Sequence, residues 1–210
     1  MSLHLIIGDK RFSSWSLRPW LALDMAGAAF TEQVILLNQP DTLQNILQHG
    51  PTGKVPLLKT EHGTIADSLA IVEYLAERFP EAHLWPEQIA PRAQARSACA
   101  QMHSGFASLR SHMGFDLRRD QALEVIPVDV QFDIDRVVAL WAECRAAAAE
   151  SGPYLFGRLS LADAFFAPVA VRLRTHRVSL PAEAAAYVET IYKWPAFRRW
   201  QKAGLEEVVR

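Results

Sequence analysis

Four short stretches of the 210-residue chain carry the side chains whose types and spacing suit chemistry. "DKRFSSWSLRPWLALDMAG" (Asp9 to Gly27) sets Ser13, Ser14 and Ser16 around Trp15 and then runs into an apolar, helix-like pattern. Small hydroxyls at such a place serve as loop or cap groups. In "KVPLL", Pro56 forces an extended conformation on Val55 and makes a cis bond accessible. "ADSLAIVEYL" puts Asp67 and Ser68 at a helix start, where carboxylate and hydroxyl caps are ordinary. "SLAD" (Ser160 to Asp163) is a Ser-x-x-Asp capping pattern, a structural device whose loss costs about 0.5–2 kcal/mol. Taken one by one, none of the four identifies a function.

Several other chemistries find no support. "GPTGKV" does not meet the Gly-x-x-x-x-Gly-Lys-Ser/Thr spacing of a phosphate loop, and no Gly-x-Gly-x-x-Gly fingerprint follows a strand. The histidines form no His-x-x-x-His pair, and His103 and His112 lack an adjacent carboxylate pair, so no metal is expected. A Gly-x-Ser-x-Gly nucleophile turn is also missing. Cys99 and Cys144 stand alone in helix-like surroundings and read as small buried hydrophobes.

The formal net charge of −1 gives no basic footprint for nucleic acid and no general attraction to anionic membranes. Half of the residues are hydrophobic, enough for a substantial core. With no signal-like start and no apolar run of about 18 residues, a cytoplasmic protein without membrane association is expected.

The elements that must position these residues follow from periodicity. "LHLII" (Leu3 to Ile7) predicts a strand, and Leu17, Trp20, Leu21, Leu23 and Met25 predict a helix from Trp15 to Ala26 with a stop at Gly27. Pro19 fits only near the first turn of that helix. A second strand is expected over Phe30 to Leu37, and a short helix over "DTLQNILQHG", closed by Gly50. Val55 to Lys59 and Thr64 to Ala66 predict a hairpin around His62-Gly63. Leu69, Val72, Leu75 and Phe79 predict a helix ended by Pro80.

Residues 1–80 thus read as an α/β domain of βαβαββα order, and the proline-rich residues 81–91 as a linker. Residues 92–210 read as an all-α domain. Its helices are expected from Ala93 to about Leu117, from Val130 to about Glu150, and from Ser160, Pro181 and Pro195.

A strand, a serine-bearing loop into a helix, Val-Pro before a hairpin, Asp-Ser opening a helix, and then an all-α domain with Ser-x-x-Asp: this order resembles the cytosolic glutathione transferase family over nearly the full chain. "RFSSWSLRPWLAL" most resembles the Ser-Ser-Cys-type loop of the zeta class, which includes maleylacetoacetate isomerases. "QMHSGFASLRSH" and "LADAFFAPV" are similar to a bacterial branch related to that class. The resemblance implies a thioredoxin-like first domain that holds glutathione as co-substrate, and a helical domain that forms the pocket for a small electrophile.

Site residues then carry over singly. Val55 before a cis Pro56 would pair its main chain with the cysteinyl backbone of glutathione, as an added strand does. Asp67 and Ser68 would hold the γ-glutamyl end at a helix start, and Lys54 would direct charge toward the glycyl carboxylate. Ser13 falls on the catalytic serine of the zeta class, and Ser14 on the second serine, which caps or assists. A thiol near pKa 8.5 must come down to roughly 6–7 to be mostly ionised at neutral pH. A hydroxyl donating to sulfur, together with a helix start, lowers it in that direction. Ser16 is assigned to the first turn of the helix.

Trp15 stands where zeta enzymes have a cysteine, which weakens transfer of the isomerase activity and suggests an apolar wall beside the sulfur. Met102, His103, Phe106 and Arg110 share one face of the expected long helix and would point into the second-substrate pocket; Arg118 and Arg119 are either attractors of an acidic substrate or solvated cations. The resemblance implies a glutathione S-transferase that forms a homodimer. Its alternatives are a glutathione-dependent isomerase and a non-catalytic binding protein of the same fold.

Overall fold

The first apolar run becomes the central strand. In a computed structural model, which describes residues 3–207, Leu3–Gly8 (β1) pairs in parallel with Phe30–Ile35 (β2) and antiparallel with Leu57–Thr60 (β3). Gly63–Ala66 (β4) pairs antiparallel with β3, which gives the order β2-β1-β3-β4 among the described residues. Alternation along β1 buries both faces: Leu5 and Ile7 enter the main core, whereas Ile6 meets Ile35, Ile46 and Leu57 on the other side.

Ser14–Met25 (α1) ends as expected. Gly27 adopts φ 61°, its N–H donates to the Asp24 carbonyl, and the Ala28 N–H donates to that of Leu23, closing the last turn. Pro19 departs from expectation. Because Ser13 is the N-cap, the proline lies in the second turn, where it cannot donate to the Trp15 carbonyl. Burial of Leu17, Trp20, Leu21 and Leu23 holds the helix through that loss.

Thr42–Leu47 (α2) covers the smaller core, and Ser68–Arg78 (α3) packs on the main one. Strand β3 begins only at Leu57, so Val55 and Pro56 precede the hairpin instead of opening it; the bond between them is cis. The expected linker is short and anchored: Pro80–Ala82 is a single 3-10 turn, Leu84 and Trp85 are buried, and the Leu84 carbonyl accepts from the Leu161 N–H at 2.9 Å. The domain limits expected at residues 1 and 210 lie outside the described residues.

Ile89–Ser104 (α4) starts ahead of Ala93 and stops well before Leu117, because Gly105 breaks the chain. A Cβ there would lie 2.8 Å from the Gln101 carbonyl oxygen, and Phe106 turns to φ 55° before Ala107–His112 (α5). Val128–Ala146 (α6) follows, then Leu161–Thr175 (α7), buried on nearly every side at the centre of the helical part. Ala182–Lys193 (α8) and Pro195–Glu206 (α9) complete it. The main core runs without a break from β1 through α1 into α7 and α9. No helix among the described residues is long and apolar enough to cross a membrane.

Candidate functional site

The loop from β1 to α1 is fastened before it reaches the serines. Asp9 is buried and accepts from the Phe12 N–H at 3.1 Å and the Leu37 N–H at 2.9 Å, while its carbonyl accepts from the Ser13 N–H at 3.0 Å. Arg11 grips Asp116 through two parallel bonds of 2.7 and 2.8 Å. Burial raises the Asp116 pKa, but the Arg11 and Arg118 donors outweigh it and hold the carboxyl below its ordinary range. From the far end of the chain, the Glu207 carboxylate accepts the Lys10 and Arg11 N–H groups at 2.8 and 3.0 Å, and Trp200 Nε1 donates to the Lys10 carbonyl at 3.0 Å.

On this platform Ser13 caps α1: its Oγ accepts from the Ser16 N–H at 3.4 Å and donates to Ser16 Oγ at 2.7 Å. Ser16 is fully buried and accepts from the Gly8 N–H at 3.0 Å. Ser14 is the first helical residue and does not cap; its Oγ accepts from Arg172 Nη2 at 3.3 Å. The first turn of α1 holds no acidic side chain, so the positive end of the helix is left for an anion from outside.

Beside these serines opens a cleft of about 790 Å³. Ser13, Ser14 and Trp15 line one side, Lys54, Val55 and Pro56 the other, and Asp67 and His103 meet across it. Asp67 sits at φ 81° and accepts from the Leu69 N–H at 2.8 Å, capping α3. Its second oxygen lies 3.2 Å from His103 Nε2. Burial lowers the His103 pKa against the pull of Asp67. Ser68 is not at the surface of the cleft: it is buried behind Asp67, and its Oγ has no partner among the described residues.

Two expected pocket residues point elsewhere. Met102 packs in the core with Ala95, Ala98 and Cys99, since it lies on the inward face of α4 while His103, one residue on, turns outward. Phe106 also joins the core, because the break at Gly105 ends the helical face it was expected to share. Arg110 does not line the cleft, but its guanidinium stands 5.5 Å from the centre of the Trp15 ring. Arg118 is tied down, donating to the Leu205 and Glu207 carbonyls at 2.6 and 2.7 Å.

Trp15 proves to be more than an apolar wall. Arg18 stacks on it at 4.2 Å and on Phe165 at 4.7 Å, and His103 meets its edge at 5.2 Å. Burial pulls the Arg18 pKa down to about 9, with Arg110 and Arg172 adding to the effect. Burial likewise brings Arg172 to about 10, helped by Arg110. Three cations thus gather behind the start of α1. Sequence reading missed Arg18 and Arg172, as it missed Asp9, Asp116 and Glu207. Arg172 lies in the last turn of α7, where a basic residue reads only as a partner of the helix dipole.

Both cysteines are buried; burial pushes the Cys99 thiol well up and Cys144 to about 12, so neither is a nucleophile at neutral pH. No group of three or more His, Cys, Asp or Glu residues suited to a metal occurs among the described residues.

Residues 12–78 match the family model of the glutathione S-transferase N-terminal domain. A probable maleylacetoacetate isomerase of Caenorhabditis elegans is 30% identical over 99 residues, 47% of this chain and 46% of that protein. The chain therefore aligns with less than half the length of this curated relative. Among solved structures, a maleyl pyruvate isomerase, a bacterial glutathione transferase of the zeta class, matches over 100% of both chains with a TM-score of 0.75 at 23% identity. A glutathione transferase homologue from Burkholderia with bound glutathione matches over 99% of this chain and 100% of that one, with a TM-score of 0.73 at 21% identity. These likenesses in structure show the fold. Residues 12–78 thus carry a glutathione S-transferase N-terminal domain, and the chain as a whole has the fold of the solved glutathione transferases.

Proposed function

We propose that the cleft binds glutathione, that Ser13 stabilises its sulfur as the thiolate, and that the protein conjugates it to a small electrophile. The observation that carries this reading is the convergence on one cleft of the Ser13 cap, the main chain at Val55-Pro56 and the Asp67 start of α3. The tripeptide lies along the cleft with its cysteinyl backbone on Val55, its γ-glutamyl amine toward Asp67 and its sulfur at the positive end of α1. Lys54 faces the glycyl carboxylate. The backbone at Ser68, not its buried hydroxyl, serves the γ-glutamyl carboxylate. The Burkholderia homologue with bound glutathione supports the choice of co-substrate.

We assign the thiolate to Ser13 because it is the N-cap at the positive end of α1; Ser14 Oγ accepts from Arg172 and keeps its proton, so Ser14→Ala is the matching control. A hydrogen bond to a charged group is worth about 1.5–3 kcal/mol, so Ser13→Ala lowers kcat/KM roughly ten- to hundredfold. A second reading, a glutathione-dependent isomerase, is supported by the likeness to a maleyl pyruvate isomerase of the zeta class and to a probable maleylacetoacetate isomerase. A two-fold homodimer in the cytoplasm accompanies either reading by family likeness.

The test is calorimetric titration with glutathione, followed by turnover of an aryl halide, an α-halo acid and an unsaturated cis keto diacid by wild type and Ser13→Ala. Consumption of glutathione supports the transferase, and isomerisation with glutathione returned supports the isomerase. Unchanged turnover by Ser13→Ala removes Ser13 from the mechanism. Absence of glutathione binding removes both readings.

A further inference from the structure

We propose that Ser16 is a positioning residue that turns the Ser13 hydroxyl toward the cleft, relaying polarisation from the Gly8 N–H through Ser16 to Ser13. This rests on the glutathione reading above and adds a residue that touches no ligand. Ser16 is 0% exposed and does not line the cleft. One lone pair of its Oγ takes the Gly8 N–H at 3.0 Å, and it accepts the Ser13 O–H at 2.7 Å, a bond whose sense the relay reverses.

A serine hydroxyl has one proton and two lone pairs. Between Ser13 and Ser16 the shared proton can sit on either oxygen. When Ser16 donates, Ser13 Oγ is filled as an acceptor by the Ser16 O–H and by the Ser16 N–H at 3.4 Å. Its own proton is then directed to the cleft. A thiolate is a stronger acceptor than a neutral hydroxyl, so an anion at the cleft selects this sense of the chain. Each donor polarises the next, which strengthens the terminal bond to sulfur.

Gly8 makes the approach possible. A Cβ on it would lie 2.9 Å from Ser13 Cβ and 2.8 Å from the Leu37 side chain, so any larger residue pushes Ser13 off the end of β1. Ser14 is backed from elsewhere in the fold: its oxygen accepts from the Arg172 guanidinium.

The test compares wild type, Ser13→Ala, Ser16→Ala, Ser16→Cys and the Ser13→Ala/Ser16→Ala double variant. The readouts are the pH titration of the bound thiolate by ultraviolet absorbance and the glutathione Kd by calorimetry. Ser16→Ala is expected to raise the bound-thiol pKa by about one unit, a tenfold loss of thiolate at neutral pH, with Kd nearly unchanged. In the Ser13→Ala background it adds no further shift, because Ser16 acts through Ser13. Ser16→Cys, which keeps the packing with a weaker donor and acceptor, gives a smaller shift in the same direction and serves if the alanine variant does not fold. An equal shift in both backgrounds, or none in either Ser16 variant, overturns the relay while leaving the role of Ser13 intact. No shift in Ser13→Ala, or no glutathione binding by wild type, overturns the underlying reading and the relay with it.

Discussion

Helices α1 and α7 start with the same device, an N-cap serine and a polar side chain three residues on, and put it to opposite uses. At α7 the third residue is Asp163, whose carboxylate accepts from the Ser160 N–H at 2.8 Å, the Leu155 N–H at 3.1 Å and the Tyr187 hydroxyl at 3.1 Å. The start of α7 is closed, its positive end satisfied by its own anion. At α1 the same position holds the neutral Ser16, and the cap serine borders an open cleft. The two starts differ in charge at that one position: α7 carries its own anion there and α1 does not.

The sharpest way to separate the two is to remove the anion of α7. Asp163→Ala strands buried donors of Leu155, Ser160 and Tyr187, and is expected to cost about 3 kcal/mol or more in urea unfolding, with the glutathione Kd of the folded protein unchanged. The same carboxyl gives a pH test. Burial pushes its pKa up to about 6, against the opposing pull of its donors, while the unfolded value is about 3.9. The folded state therefore holds this proton more tightly, so the contribution is present at low pH and is lost as pH rises from about 4 through about 6. Asp163→Asn is expected to flatten that part of the stability profile.

Next in size, Ser16→Asp gives α1 the closed start of α7. A carboxylate beside the thiolate is expected to raise the bound-thiol pKa by about two units, seen as a roughly hundredfold fall in kcat/KM at neutral pH and a shift of its pH profile. Retained activity would mean that the charge at this position is not what distinguishes the two starts. Ser160→Ala is expected to lower stability by about 0.5–2 kcal/mol and leave kcat/KM alone. Lys54→Ala comes last: this exposed side chain on the cleft is expected to change glutathione affinity less than about tenfold, and less still at high salt.

Much of this was legible from local pattern. The Gly27 stop, the Asp67 cap and the Ser160-Asp163 box all involve bonds within a few residues, so residue type and spacing suffice to foresee them. The long helix expected up to Leu117 failed at Gly105, where a single glycine outweighed good helix formers on either side. Met102 and Phe106 failed for a related reason: periodicity ranks faces of a helix but does not say which face meets core and which meets cleft.

The sequence by itself determined the order of elements, the two caps that begin α3 and α7, and the family to which the serine loop, Val-Pro and Asp-Ser stretches are similar. Only the tertiary structure decided what each serine hydroxyl is bonded to. Ser16 takes its donor from Gly8, at the end of a strand, and Ser14 takes its from Arg172, 158 residues away. A hydroxyl points where its partners leave it room, and those partners are brought together by packing, not by spacing along the chain.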